Sequence, residues 1–348
     1  MKISNKLSAF LSILSILVLP CEASSPAGDT TRARIDSLRV LPSDFTIAGS
    51  RRYTIHGELP LKDSDIKPLN LGIMAGVYTG VFILQHDAQL ATIWDEMGEF
   101  HFYEDGRYAL WSDKAGHFFG SYFTSYLLSE SLMTAGFSWD AATVWGGVFG
   151  LAYSTYVEVL DGFGAQWGFS PTDFYADVAG SALFVGQLYW PALQNFTPKF
   201  MYFPAEWYGE MSREPHHFFI DDYSSHTLWL SVNVHNFLPE NAQPYWPEWL
   251  EISFGYAARN LCAPGYEGAE CDPTRSEPLY PDVWGSPRYI VALDYNLIKL
   301  LPEGGNFWNW MRQTLNMFKW PSPAIEFGPT TRFFIVYPFP LEIGDIRL

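Results

Sequence analysis

The sequence predicts an α+β fold: an N-terminal bundle of about four apolar helices, then a small antiparallel sheet with one packed amphipathic helix. Three observations predict it. Four uncharged, helix-compatible stretches lie between residues 67 and 200. From about Asp222 the apolar period falls to two, which is the period of strands. Only 17% of the 348 residues are charged and 18% are aromatic, against roughly 25% charged residues in ordinary soluble domains. So apolar a chain is not disordered. With 21 Lys and Arg against 38 Asp and Glu, a net charge of −17 and no basic cluster, nucleic acid is excluded as a partner. A membrane or envelope protein remains, with membrane lipid as the expected partner; no protein partner can be read.

Residues 1–23 read as a signal peptide. Lys2 and Lys6 precede the apolar run Leu7–Leu19, and Cys21-Glu22-Ala23 offers a small residue before a cut at Ser24. That run is too short for a spanning helix, which needs ~20 residues. Cys21 also admits a lipoprotein reading, although Pro20 stands where a small residue is expected. The remaining cysteines, Cys262 and Cys271, flank a Gly/Pro-containing loop. They suit a local disulfide in an oxidising compartment better than a metal site, which needs two more ligands nearby.

Residues 24–66, with Pro, Gly and Ser throughout, read as an irregular lead-in, 67–200 as the helical bundle, and 215–348 as a strand-rich region. The helical stretches are Leu69–Gln85, a helix from about Asp113 to Ala135, Ala141–Val157 and Val178–Leu193. At ~20–26 Å they are short against a hydrocarbon core of ~30 Å and long for core helices. Gly72, Gly76 and Gly80, and then Gly116 and Gly120, recur every four residues. Such spacing lets helices approach closely in lipid, or cross in a soluble bundle.

In the strand block, alternate residues share a face in Thr227–His235, Leu250–Ala257 and Tyr289–Leu297, with a fourth strand in Arg332–Tyr337. These read as half-buried antiparallel strands, too few for a transmembrane barrel of at least eight. Phe307, Trp310, Met311, Leu315 and Phe318 form a stripe expected to pack a helix on the sheet, with a membrane-surface helix as the other reading. Trp207, Tyr208, Tyr245, Trp246, Trp249 and Trp308 are expected in the sheet core, with an interfacial belt or a sugar-stacking surface as the other readings.

Ionisable residues interrupt the apolar helices at three places. Asp113, Lys114 and His117 open the second helix, with Asp113 and His117 on one face. Glu158 and Asp161 close the third. Ser170-Pro171-Thr172-Asp173 opens the fourth as a near capping box, and Asp177 follows one turn on. Short connections make successive helices run up and down, which brings these three places to one end of the bundle. Five carboxylates against one Lys and one His then need raised pKa values or a divalent cation. His117, Glu158, Asp161, Asp173 and Asp177 are the candidate ligands, in a set suited to Mg²⁺, Mn²⁺, Ca²⁺ or Zn²⁺. His117, Glu158 and Asp173 are also the catalytic candidates, though no reaction is assigned. A plain structural reading competes: Asp173 caps its helix, Lys114 pairs with Glu158, and His117 is a hydrogen-bonded core residue. Adjacent His216 and His217 make a poor chelate, and no phosphate-loop, dinucleotide or nucleophile-elbow motif is present.

The ordered set Asp113-Lys114-Ala115-Gly116-His117-Phe118, Glu158 with Asp161-Gly162, Gly168-Phe169-Ser170-Pro171-Thr172-Asp173 and Asp177 with Gly180 resembles the YfiM-like family. Those are predicted bacterial periplasmic lipoproteins without an assigned function. The run is more distantly similar to VanZ-type integral membrane proteins. The resemblance covers about residues 110–193, and Asp222-Tyr223, Trp229-Leu230-Ser231 and Pro321-Ser322-Pro323-Ala324 look like the tail of longer members. It implies a periplasmic, membrane-associated protein of a bacterial envelope and supplies no reaction. Chain isolated from native envelopes is expected to begin near Ser24. N-terminal sequencing that returns Met1 would refute the signal peptide.

Overall fold

The computed structural model describes residues 38–212, 219–262, 278–280, 283–340, 342–343 and 346–347. The expected signal peptide with Cys21, the pair His216 and His217, and Cys271 lie outside these residues. Cys262 is disulfide-bonded.

Four long helices lie in the first half: α1 (Pro68–Leu90), α2 (Ser112–Thr134), α3 (Trp139–Asp161) and α4 (Pro171–Tyr189). Local chemistry sets their ends. Ser138 caps α3 by accepting the Ala141 N–H, and Ser170 caps α4 by accepting the Asp173 N–H at 3.2 Å. Pro171 opens α4 at a position that needs no donor. The helix ends at Tyr189, short of the expected Leu193, because Pro191 disfavours helical geometry in the residue before it.

The expected four-helix bundle is only three helices deep. α2, α3 and α4 pack on one another, while α1 buries none of its residues and is tied on by contacts such as Tyr78 Oη to Ser131 Oγ at 2.9 Å. The four-residue glycine spacing is also not what brings helices together. A methyl group at Gly72, Gly76, Gly80, Gly116 or Gly120 would meet nothing within 4 Å. Close approach happens at Gly180, where a Cβ would fall 2.1 Å from the Phe118 carbonyl oxygen, and at Gly150, where it would fall 2.3 Å from Ser125 Oγ.

The sheet follows the path β3 (Phe196–Tyr202), β4 (His226–Val232), β5 (Leu250–Cys262), β7 (Val283–Tyr295), β8 (Ala324–Phe327), β9 (Arg332–Phe334), every pairing antiparallel, with β6 (Pro278–Tyr280) beside β7. Two expected strands are trimmed, since Val234–Phe237 is a 3₁₀ turn and the last strand ends at Phe334. β3 was hidden in the sequence by Pro198, which a central strand would not tolerate. The sheet curls until the run before β8 returns to β3: the Phe200 N–H donates to the Met317 carbonyl, and the Lys319 N–H to the Phe200 carbonyl at 2.9 Å. Trp229, Phe334 and Tyr337 pack within the curl.

The alternating stripes do lie on one face, but most of that face is open. Phe254, Tyr289, Phe327 and Phe333 are 45–60% exposed, and only the end near Phe200 and Leu228 is covered, by α2. The polar positions point inward. Lys199 pairs there with Glu251 at 3.2 Å and Asp294 at 2.9 Å, and Arg288 with Glu326 at 3.2 Å. The expected core aromatics fare similarly, since Trp207 and Tyr245 are exposed and only Tyr208 among that group is buried.

The helix at α6 (Asn306–Leu315), preceded by the single turn α5 (Leu297–Leu300), also reverses its expected face. Asn309, Arg312 and Gln313 are buried, while Phe307 is exposed. The helix lies over chain turns whose carbonyls and amides need partners: Arg312 Nη1 donates to the Ile298 and Leu301 carbonyls, and Gln313 Oε1 accepts the Tyr53 N–H. Phe318, just past the helix, does pack, against Phe123 of α2.

The lead-in is irregular apart from the two-residue strands β1 (Thr46–Ile47) and β2 (Ser50–Arg51), yet it is part of the core. Phe45 is fully buried, and Arg52 Nε and Nη2 both donate to Oε1 of Glu130, midway along α2. Two short strands, β10 (Glu342–Ile343) and β11 (Ile346–Arg347), end the chain. Substituting Gly180→Ala should cost ~1–3 kcal/mol, because the obstacle is backbone and cannot rotate aside. Gly116→Ala should be neutral or slightly stabilising. Thermal unfolding of the two variants separates the crossing that carries load from the one that does not.

Candidate functional site

Three chain segments meet beside the start of α2. Ala109, Leu110 and Trp111 all take left-handed φ values of 48°, 51° and 73°, a run that L-residues adopt only when their surroundings hold them there. Tyr256 Oη donates to the Leu110 carbonyl and helps fix the turn. The turn delivers Asp113, Lys114 and His117 on the first turns of α2. The last turn of α3 brings Glu158 and Asp161, and the capped start of α4 brings Asp173 and Asp177.

His117 occupies the middle. Its Nδ1 lies 3.3 Å from Asp177 Oδ1 and 3.7 Å from Glu158 Oε1, and its Nε2 lies 3.6 Å from Asp113 Oδ1 and 4.0 Å from Asp173 Oδ2. Lys114 Nζ serves the other half, at 2.6 Å from Asp105, 2.8 Å from Asp113 and 2.8 Å from Asp173. The expected Lys114–Glu158 pair is therefore absent: Lys114 is held among the aspartates, and Glu158 Oε2 instead accepts the Ser170 N–H at 3.1 Å. Ser170 has a double role, capping α4 and donating its hydroxyl to Asp105 at 2.5 Å.

Asp161 stands apart from the other candidate ligands. Trp94 Nε1 donates to it at 2.5 Å. The remaining residues form two triads, Asp113–His117–Asp173 and His117–Glu158–Asp177, with ligand atoms in each within 4.8 Å of one another.

Three participants escaped the sequence reading. Asp105 comes from a loop with no periodicity to link it to a helix. Tyr223 Oη, from the strand half, donates to Asp113 Oδ1 at 2.5 Å. Trp94 was hidden in the segment between α1 and α2. Asp222-Tyr223 is a polar–aromatic pair ahead of a strand, but nothing local ties it to a residue 110 positions earlier.

The charges are far from balanced, and burial decides which survive. Burial opposes ionisation of Asp113, but His117 and Lys114 outweigh it and hold the carboxyl at about 2. Burial likewise opposes the charges on Lys114 and His117, yet the aspartates around them raise both. Glu158 is pushed up to about 9 by burial, which His117 only partly offsets. Asp173 rises to about 8 through burial and the neighbouring Asp113, Asp161 to about 6 and Asp177 upward, both chiefly through burial.

Residues 99–188 match the model of a family described as "Predicted periplasmic lipoprotein (DUF2279)", a class of envelope proteins without an assigned function. The stretch is the one on which the YfiM-like resemblance falls, and the description agrees with a periplasmic, membrane-associated location. The VanZ-type similarity is not part of the match. No curated protein and no solved structure matches the chain.

Raised carboxyl and imidazole pKa values carry a sign for stability. A group whose folded pKa exceeds its unfolded value stabilises fully below the unfolded pKa, and that contribution disappears as pH rises through the folded one. Glu158 and Asp173 span about 4 to 9 in this way, and His117 adds in the same direction. In chelator, the melting temperature should fall between pH 5 and pH 9, and Glu158→Gln should flatten the fall. A melting temperature that climbs over this range would contradict the buried, uncompensated site.

Proposed function

We propose that the chain is an exported, membrane-associated envelope protein that binds one divalent cation through His117 Nδ1, Glu158 and Asp177. One observation carries the choice of triad: Lys114 is already shared among Asp105, Asp113 and Asp173, whereas Glu158 and Asp177 have, among the described residues, no cation but the imidazole within reach. Their ligand atoms lie within 4.8 Å of one another, a separation that a cation ~2.0–2.5 Å from each would bridge. With Nδ1 on the cation, Nε2 carries the proton and points toward Asp113 and Asp173, a carboxylate-held imidazole of the kind that orients metal-bound histidines. Two carboxylates and one imidazole suit Mg²⁺ or Mn²⁺, and admit Ca²⁺ or Zn²⁺.

Membrane association is supported by α1. It is 23 residues long, apolar enough by length and composition to cross a membrane, and has no buried residue, unlike a core helix.

A second reading is a metal-assisted hydrolase or transferase acting on a lipid-linked or cell-wall substrate, with His117 as base or ligand. It is favoured by accessibility. The His117 side chain keeps 22% exposure, while the four carboxylates around it keep 1–6%.

Chelator-stripped protein titrated with Mn²⁺ should take up one equivalent and release protons, since Glu158 and His117 are protonated without the cation. Calorimetry in two buffers of different ionisation enthalpy measures both quantities. Glu158→Gln or His117→Ala should weaken binding by more than the ~10–100-fold that loss of an outer-shell partner costs, with the circular dichroism spectrum unchanged. A flat titration with Mg²⁺, Mn²⁺, Ca²⁺ and Zn²⁺ to millimolar concentrations would sink the proposal. Turnover of a lipid-linked substrate by the loaded protein, lost in His117→Ala, would move the assignment to the second reading.

A further inference from the structure

We infer that the outer face of the curled sheet, across β5, β7, β8 and β9, is a second lipid-contacting surface that rests against the hydrocarbon of the membrane. This rests on the membrane association proposed above and goes beyond it, because α1 alone would account for a tether.

The registers define the face. Leu230, Phe254, Val291, Ile325 and Phe333 stand in one row across five strands, and Tyr256, Tyr289 and Phe327 in the next. No ionisable carboxylate or cation interrupts either row. Phe254 is 53% exposed, Tyr289 60% and Phe333 60%.

The other side of the same strands carries the charges. Glu251 and Asp294, opposite each other on β5 and β7, point inward and are buried, as are Glu326, which stands opposite Ile290, and Arg288, which forms an ion pair with it at 3.2 Å. The inner charges close on themselves: Lys199 reaches Glu251 and Asp294, Lys319 reaches Asp294 at 3.5 Å, and Arg288 and Arg332 share Glu326.

That polarity selects the occupant. A water-soluble sheet buries its apolar row and solvates its charged one. Here the charges are all on the buried side, where they share the interior with Trp229, Ile290 and Phe334, and the open side is apolar and uncharged, which is how strands present themselves to lipid. A row of aliphatic and aromatic side chains without charge offers a protein partner no ion pair to fix its register, and it complements uncharged acyl chains. The apolar row spans five strands, and α1 independently has no buried residue. A continuous hydrocarbon phase covers both; a single protein partner would have to cover two separate elements. Among the described residues the sheet has seven strands, and it is their outer face that contacts the bilayer.

The test uses the full chain in vesicles of phosphatidylethanolamine and phosphatidylglycerol doped with a phospholipid bearing a diazirine on its acyl chain. After illumination, adducts are mapped by mass spectrometry. Expected are adducts on the β5 and β7 peptides that carry Phe254 and Val291–Leu293, as well as on α1. In the double variant Val291→Glu, Leu293→Glu, labelling of β5 and β7 should fall several-fold with α1 labelling kept. Thermal unfolding of that variant confirms that it folds, and the wild-type map stands without it. Adducts confined to α1 would overturn this inference and leave the membrane association intact. No adducts anywhere, with the chain recovered from the aqueous phase, would overturn both. Chemical cross-links joining β7 of two copies in place of lipid adducts would show a second copy of the chain on this face and overturn the lipid assignment.

Discussion

Five carboxylates, Asp105, Asp113, Glu158, Asp173 and Asp177, crowd around one lysine and one histidine where three helices meet, with Asp161 set apart on Trp94, and the surrounding structure is arranged to hold them there. Bringing ionised groups out of water costs several kcal/mol each unless they are paired or neutralised. Lys114 pairs with three of them, His117 lies within 4.0 Å of four, and Tyr223 and Ser170 each donate a hydrogen bond to one. The left-handed turn at Ala109–Trp111, the Ser170 cap and the close approach at Gly180 all deliver backbone to this point. What pairing leaves over is either protonated or shared with a cation. That surplus makes the end of the bundle chemically different from the rest of the chain.

The sheet solves the same problem in the opposite way. Its ion-paired groups are matched in number, Lys199 and Lys319 against Glu251 and Asp294, and Arg288 and Arg332 against Glu326 and Glu210, while the buried Arg259 is held by carbonyls and hydroxyls. A matched set neither needs nor attracts a cation, so it serves to hold the curl closed. The two networks therefore have different uses, although each gathers buried acids and bases. Balance marks the structural one, and imbalance marks the candidate site.

The segment before α1 links the halves. Arg52 stacks against Phe45 and Tyr126 while its guanidinium pairs with Glu130, and Gln313 of α6 binds both Tyr53 and Tyr126. Glu130 is the one carboxylate in α2 beyond its first turn, and Arg52 answers it from 78 residues away. Removing either partner would strand a buried charge, a costlier loss than removing both.

The sequence by itself determined the α+β order, the helices around the Asp113, Glu158 and Asp173 clusters, and their meeting at one end, because these follow from local signals. Helix period, a Ser-Pro cap and short connections act within a few residues. The alternation of β5 and β7 was equally legible, since period two is a property of a strand alone. Which face of that alternation turns inward was not. Periodicity fixes that two faces differ, and only the pairing of Lys199 with residues some 50 and 95 positions away decides which is buried. The same holds for α6, whose apolar stripe lost to the carbonyls that Arg312 satisfies. It holds too for Asp161, drawn to Trp94, and for Asp105 and Tyr223, which joined the site unannounced. Local sequence sets what each element offers. The cost of leaving a buried polar group unpartnered sets what each element faces, and the partner that meets it is chosen only when distant parts of the chain come together.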